Sequence, residues 1–161
     1  MRIKTGIGQD SHRFDFEEKT KKLILGSVLF ENQPPLKGNS DADVVLHALC
    51  NAISGVTGVN ILGKISDTLC HKHGITDSRF YLQEALNHLK DWHITHVSFS
   101  IECKTPKITP KISEMKTNIS QLLGLETQDI GITATSGEGL TAFGRGEAIQ
   151  VFCIVTVTTD I

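Results

Sequence analysis

The sequence predicts an α+β fold, a single-domain α/β sandwich in which a mixed sheet carries its helices on one side. Three observations predict it. The elements read off the chain run β-β-α-loop-α-β-α-β-β, with helices between strands but no long series of βαβ units, so a doubly wound parallel sheet is not favoured. The stretch 94–103 has one apolar and one polar face, as in a sheet covered on one side. The final stretch, 147–158, is apolar on both faces and belongs at the centre of that sheet. A chain of 161 residues, 39% hydrophobic and 21% charged, is long enough for one domain, 1–161, with a core of its own.

Residues 2–12 alternate. Ile3, Thr5 and Ile7 point one way and Gly6, Gly8, Asp10 and His12 the other, as in a strand. Bare glycines on that second face are expected where a backbone or a ligand comes close. A charged turn (15–22) leads to two short strands, Leu23-Ile24-Leu25 and Val28-Leu29-Phe30, bent at Gly26-Ser27. A first helix is expected over 41–54, after the polar loop 33–38. Asn39, Ser40 and Asp41 can all serve as its cap, and Val45, Leu49, Ala52 and Ile53 make its apolar stripe. Ser40, Asp43, His47 and Asn51 recur at three or four residues along another side.

Residues 55–77 show no sustained period and read as a long irregular loop, either a lid or a plain connector. Within it Cys70-His71-Lys72-His73 has a spacing too weak for a metal site and is taken as a solvated loop. A second helix follows over 78–92, capped by Thr76 or Asp77, with Phe80, Ala85, Leu86 and Leu89 towards the core. After the 94–103 strand, Thr109 and Pro110 start a third helix. Ile112, Met115, Ile119, Leu122 and Leu123 are its buried side and Gly124 its end. A short strand (130–135), a glycine-rich turn (136–146) and the last strand complete the chain.

A net charge of −2 leaves no basic footprint for nucleic acid and no polybasic face for membranes. No apolar run approaches the ~20 residues of a membrane span. The four cysteines form no Cys-x-x-Cys pair, and the opening Met1-Arg2-Ile3-Lys4 has no signal-like apolar run. A cytoplasmic protein, or a mature chain cut from its targeting peptide, is expected.

The chemistry-bearing residues are few. Asp10 and His12 offer one oxygen and one nitrogen ligand, although such a pair alone is more often a surface hydrogen bond. With His47 they would make a three-ligand site with an open fourth position, as in catalytic zinc. Thr135-Ser136-Gly137-Glu138 combines hydroxyls, free N–H groups and a carboxylate suited to magnesium on phosphate oxygens. Gly144-Arg145-Gly146 places a guanidinium on a turn, matching phosphate, though a plain hairpin turn would read the same.

Together, Gly8-Gln9-Asp10-Ser11-His12, Ser40-Asp41-Ala42-Asp43 with Leu46-His47-Ala48-Leu49, Lys104-Thr105-Pro106-Lys107, Ala134-Thr135-Ser136-Gly137-Glu138 and Gly144-Arg145-Gly146-Glu147 resemble the 2-C-methyl-D-erythritol 2,4-cyclodiphosphate synthase family. That family belongs to the non-mevalonate isoprenoid pathway. The resemblance covers nearly the whole chain and is poorest over 55–75. It implies a homotrimer with active sites at subunit interfaces. It also implies a phosphorus–oxygen lyase that cyclises 4-diphosphocytidyl-2-C-methyl-D-erythritol 2-phosphate with release of CMP.

On the same resemblance, Asp10, His12 and His47 match the zinc ligands, and Glu138 the acid reaching a second divalent cation, magnesium or manganese. Cys103, Lys104, Thr105, Pro106, Lys107, Ile108 and Thr109, with Ala134 and Thr135, match the cytidine-diphosphate pocket. Ser40, Gly63 and Arg145 match further substrate contacts, and Asn39 and Ser136 catalytic positions. Asn39 stands where the family usually has histidine, and Ser136 where it usually has threonine. Ile61 replaces a ribose-holding aspartate beside Asn60, and Asn51 replaces another aspartate. Asp67 falls in a segment that departs from the family pattern, and the usual aromatic is displaced by one to Phe143, leaving Ala142. Two rival readings stand beside it: a different zinc-dependent phosphoryl-transfer enzyme or hydrolase, with Asp43 or Asp67 as the base of a hydrolase, and a trimeric nucleotide-binding or regulatory module without catalysis.

Overall fold

A computed structural model describes residues 1–160; Ile161, the last residue of the expected domain, lies outside the described residues. Ten regular elements follow one another: β1 (Arg2–Arg13), β2 (Leu23–Leu25), β3 (Val28–Phe30), α1 (Val44–Thr57), α2 (Lys64–His73), α3 (Ser78–Asn87), β4 (His93–Glu102), α4 (Ile112–Leu123), β5 (Ile130–Thr135) and β6 (Ala148–Thr159). Four strands form one sheet in the order β1-β6-β4-β5. β6 runs antiparallel to both neighbours and β5 parallel to β4, so the sheet is mixed. The expected α+β class, mixed sheet and central last strand are all present. β2 and β3 form a separate antiparallel pair. Gly26 and Ser27 turn it with φ of 57° and 62°, the two left-handed residues of a tight hairpin turn.

The alternation of the strands decides which face is covered. Val97, Phe99 and Ile101 of β4 and Ile149, Val151, Cys153, Val155 and Val157 of β6 are buried beneath the helices. The other face is bare in the single chain. Ile3 and Ile7 of β1 and Phe152 and Ile154 of β6 lie exposed there, with Ile7 opposite Ile154.

α1 crosses the covered face in backbone contact with β1. A Cβ built on Gly8 would stand 2.1 Å from the Ala48 carbonyl oxygen, and one on Gly6 2.1 Å from that of Ala52. Only bare glycine allows the approach, and the approach sets α1 against the Asp10–His12 end of β1.

Several expectations change at the element boundaries. The first helix begins at Val44, not residue 41, and runs to Thr57. Its cap is Asp43, whose carboxylate accepts from the Val45 and Leu46 N–H groups at 3.2 and 3.1 Å. Ser40 and Asp43 therefore lie before the helix rather than on one of its faces. Nor is the helix two-sided: 11 of its 14 residues are buried.

The expected loop 55–77 contains a ten-residue helix, α2, closed by Gly74 in the left-handed conformation. Cys70-His71-Lys72-His73 is its last turn, not a solvated loop. α3 stops at Asn87 instead of 92, and Phe80 points outward at 57% exposure. Ala85 and Leu89 are buried and Leu86 half-buried, as expected, while Tyr81 and Leu82 take the core place expected of Phe80. A single 3-10 turn, Thr109–Lys111, precedes α4, so Thr109 caps no α-helix. Met115 and Ile119 do fill the core.

Candidate metal centre and active-site cavity

The pleat of β1 puts Asp10 and His12 on the face that meets α1, and α1 delivers His47 between them. His12 Nε2 and His47 Nδ1 each lie 3.0 Å from Asp10 Oδ2, and 3.3 Å from one another. The tautomer of His12 is fixed by its surroundings. Its Nδ1 faces the Lys37 carbonyl at 2.7 Å, which can only accept, so Nδ1 carries the hydrogen and Nε2 presents a lone pair to the cluster. At the usual zinc–nitrogen and zinc–oxygen distances, two donors of a tetrahedral site stand about 3.3 Å apart. The three edges of the triangle match that spacing, and one carboxylate with two imidazoles is an ordinary zinc donor set, so the residues fit a divalent transition metal. Their donor atoms form the one metal-ligand cluster found among the described residues.

The electrostatics agree. Burial by itself would raise the Asp10 carboxyl, but hydrogen bonds and charge from His12 and His47 outweigh it. Asp10 is held well below the usual carboxylate range. Burial pulls the His12 imidazole down, while its hydrogen bond to Asp10 and the carboxylate charge raise it, and the net shift is upward.

The triad opens into a cavity of ≈ 310 Å³. Gly38, Asn39 and Ser40 form one rim, and Leu62, Ser66, Asp67 and Cys70, from the start and body of α2, form the opposite wall. Residues of α2 therefore line the cavity, within the segment read as either a lid or a plain connector. Asn39 is exposed, and its carbonyl takes a hydrogen bond from the Cys70 thiol at 3.4 Å. Ser40 Oγ accepts from the Ala42 N–H at 3.1 Å. The first N–H groups of α1 are already taken by Asp43, so that helix end offers no seat for an anion.

Asp43 is fully buried, and its carboxylate also accepts from Gly26 and Ser27 N–H at 2.9 and 2.7 Å. Burial and the nearby Asp41 charge push its pKa up to about 6, against those N–H donors. A group so enclosed is a structural brace between α1 and the hairpin, and the hydrolytic base role for Asp43 is withdrawn. Asn51 is likewise committed, its amide donating to the Gln9 carbonyl at 2.9 Å. Ile61 is buried at 1% exposure while Asn60 is exposed. Gly63 is the cap residue of α2, beside the cavity wall.

The remaining predicted residues gather elsewhere on the chain. β4 and β5 end in register, Glu102 opposite Thr135, and the loops leaving them stay joined: Cys103 N–H donates to Thr135 O at 3.1 Å and Lys104 N–H to Phe143 O at 3.0 Å. Lys104, Thr105, Lys107, Thr109, Ala134, Thr135, Ser136 and Glu138 are exposed around this junction. Cys103, Pro106 and Ile108 turn their side chains inward, so only their backbone is offered. Glu138 sits at φ 51°, and Arg145 reaches Glu147 at 2.9 Å. None of these residues lines the cavity at the triad. Within one chain the loop junction thus adds no residue to the cavity at the triad.

Sequence reasoning missed Ser78, whose hydroxyl lies 2.8 Å from His47 Nε2, and Tyr81, which lines the cavity. Spacing along the chain could not have found Ser78, because 31 residues separate it from His47.

The sequence profile described as the YgbB family matches residues 3–158. The 2-C-methyl-D-erythritol 2,4-cyclodiphosphate synthases of Chlamydia caviae and Chlamydia felis are each 52% identical over 155 residues, covering 96% of this chain and 88% of theirs. Among solved structures, the bifunctional IspDF of Campylobacter jejuni superposes with a TM-score of 0.88 at 27% identity over 99% of this chain; the match spans 43% of that longer chain. A CDP complex of IspF from Plasmodium falciparum gives a TM-score of 0.82 at 26% identity, covering 99% of this chain and 97% of the other.

Proposed function

This chain belongs to the YgbB family, that of the 2-C-methyl-D-erythritol 2,4-cyclodiphosphate synthases, and from that premise we propose how its residues carry the activity. The enzyme is a phosphorus–oxygen lyase of the non-mevalonate isoprenoid pathway. It closes 4-diphosphocytidyl-2-C-methyl-D-erythritol 2-phosphate into the 2,4-cyclodiphosphate and releases CMP. The 2-phosphate oxygen forms the new bond to the β-phosphorus, and the bond from that phosphorus to the CMP oxygen breaks. The nucleophile belongs to the substrate, so the protein's task is alignment and charge compensation.

The observation that carries the proposal is the 3.0–3.3 Å triangle of Asp10 Oδ2, His12 Nε2 and His47 Nδ1 facing the cavity. These three residues would hold zinc, which when bound supplies a Lewis acid to a phosphoryl oxygen. Asn39 and Ser40 on the rim donate hydrogen bonds to the substrate's phosphates. Leu62, Gly63 and Asp67 close over the erythritol side, and Asn60 takes the place of the missing ribose acid.

The loop 103–109, with Ala134, Thr135 and Ser136, receives the cytidine diphosphate. Glu138 would hold a second divalent cation, magnesium or manganese, which when bound would offset phosphate charge, and Arg145 contacts the substrate. Because this junction is separate from the triad within one chain, each active site combines the triad of one copy with the junction of the next. A homotrimer, with one site at each interface, satisfies that requirement, and the exposed apolar sheet face supports it. The chain 1–161 then works as one catalytic domain. Its four free thiols suit the reducing cytoplasm, and no helix among the described residues is long and apolar enough to cross a membrane.

Phosphorus NMR of the zinc- and magnesium-loaded protein with the cytidine substrate tests the assignment. The cyclic diphosphate and CMP are expected. Linear phosphate products would instead indicate a hydrolase using Asp67, and binding without products would indicate a nucleotide-binding module.

A further inference from the structure

Behind His47 runs a hydrogen-bonded chain that leaves the cavity. His47 Nε2 lies 2.8 Å from Ser78 Oγ, and Ser78 Oγ in turn donates to Asp41 Oδ1. The other Asp41 oxygen accepts the Ser78 backbone N–H at 3.0 Å, and Asp41's own N–H is fastened to Thr76 O at 2.8 Å. Ser78 is wholly buried and His47 is 7% exposed, so water does not compete for either. We infer that Ser78 and Asp41 are positioning residues that keep the proton of His47 on Nε2, so that Nδ1 is the nitrogen free for the cation.

A serine hydroxyl has one hydrogen, and an ionised carboxylate can only accept. With that hydrogen committed to Asp41, Ser78 Oγ can only accept from His47, which therefore bears its proton on Nε2. Nδ1 is left as a lone pair aimed at Asp10 and His12. His12 reaches the same condition by its bond to the Lys37 carbonyl. The two imidazoles thus present opposite ring nitrogens to one point, each set by a different acceptor. Partners behind a ligating histidine commonly change metal affinity ten- to hundredfold when removed.

This inference rests on the metal reading above, and the test separates the two. Zinc is titrated into the metal-stripped protein against a competing chelator, for the parent, for Asp41→Asn and for Ser78→Ala. Asp41→Asn is nearly isosteric. If its carbonyl keeps the Ser78 N–H, its amide N–H₂ faces Ser78 Oγ and turns the hydroxyl hydrogen towards His47 Nε2, which moves the ring proton to Nδ1. Zinc affinity should fall at least tenfold with the melting temperature nearly unchanged. Ser78→Ala should lose a similar factor, and the double variant little more than the worse single one, because the two act in series. Nitrogen-15 spectra of the zinc-loaded parent should show the His47 proton on Nε2.

Parent-like affinity in Asp41→Asn overturns the inference, as does zinc on Nε2 of His47. A loss of zinc that merely follows a loss of folding overturns it too. A parent that takes up no zinc overturns the metal reading itself.

Discussion

In the site proposed above, Asn39 is the most consequential departure from the family pattern that the sequence resembles. It stands exposed on the cavity rim, next to Ser40 and across from α2, with its backbone held by Cys70. An amide donates a hydrogen bond to a phosphate but brings no positive charge. If Asn39 acts as a donor only, Asn39→Ala should cost one hydrogen bond to a charged group, about 1.5–3 kcal/mol, or roughly 10- to 150-fold in kcat/KM. Asn39→His should then retain or raise turnover, measured as CMP release. A large loss in the histidine variant would show that the rim has been rebuilt around the amide.

Legibility at this scale depends on sequence distance. Asp10 and His12 share a face because they are two apart on a strand, and that much follows from alternation. Their meeting with His47 follows from no spacing rule; the donor types suggested it, and the family resemblance matched it. The bond from Ser78 to His47 had no sequence signal of any kind.

Among the elements, the contact of β1 with α1 governs the site, because the triad takes two ligands from one and one from the other. The glycine face of β1 was readable in advance as a place of close approach. Gly8→Ala should drive a methyl into the Ala48 carbonyl, 2.1 Å from the added carbon, where backbone must move and no side chain can give way. Overpacking of a core usually costs 1–3 kcal/mol, and a backbone clash belongs at the upper end, so a loss of about 3 kcal/mol is expected in urea unfolding. Because the same shift separates His47 from Asp10, zinc affinity should fall in the surviving folded protein. Unchanged stability would mean that α1 can slide on β1.

Strands β4 and β6 were plain from their alternation, and α4 from its stripe and terminal glycine. α2 was not, and the reason is physical. It packs against the rest of the molecule mainly through half-buried Ile65 and Leu69, with Ser66 its one buried residue, because the surface it covers is a polar cavity. A helix that roofs a wet site has little apolar periodicity to display. The start of α1 was misplaced for a different reason. Ser40 and Asp41 are good caps by type, but Asp41 is used by Ser78 and Ser40 by Ala42, and the role falls to Asp43.

At the scale of the whole molecule, the proposed function draws on two groups of residues, and the loop junction adds none to the cavity at the triad. The triad is complete within one copy, whereas the loop junction of 103–109 and 134–138 belongs to a different part of the surface. The bare sheet face, with Ile3 at 60%, Ile7 at 67%, Phe152 at 40% and Ile154 at 43% exposure, is the apolar surface available for assembly. Three copies joined there by a rotation would each lend a junction to the next copy's triad.

Assembly and metal binding can therefore be taken apart. Ile7→Asp combined with Ile154→Asp puts two carboxylates directly opposite each other on β1 and β6, on the outer face and away from the covered core. In a single chain both remain in water and cost little, but at an apolar interface their desolvation opposes assembly. Sedimentation should show the mass of one chain instead of three. Zinc should still be bound, since its ligands come from one copy, while CMP release should fall to background for want of the neighbouring nucleotide pocket. A monomer that kept full turnover would place both half-sites in one chain, and a trimer that survived the double change would move the interface to another surface.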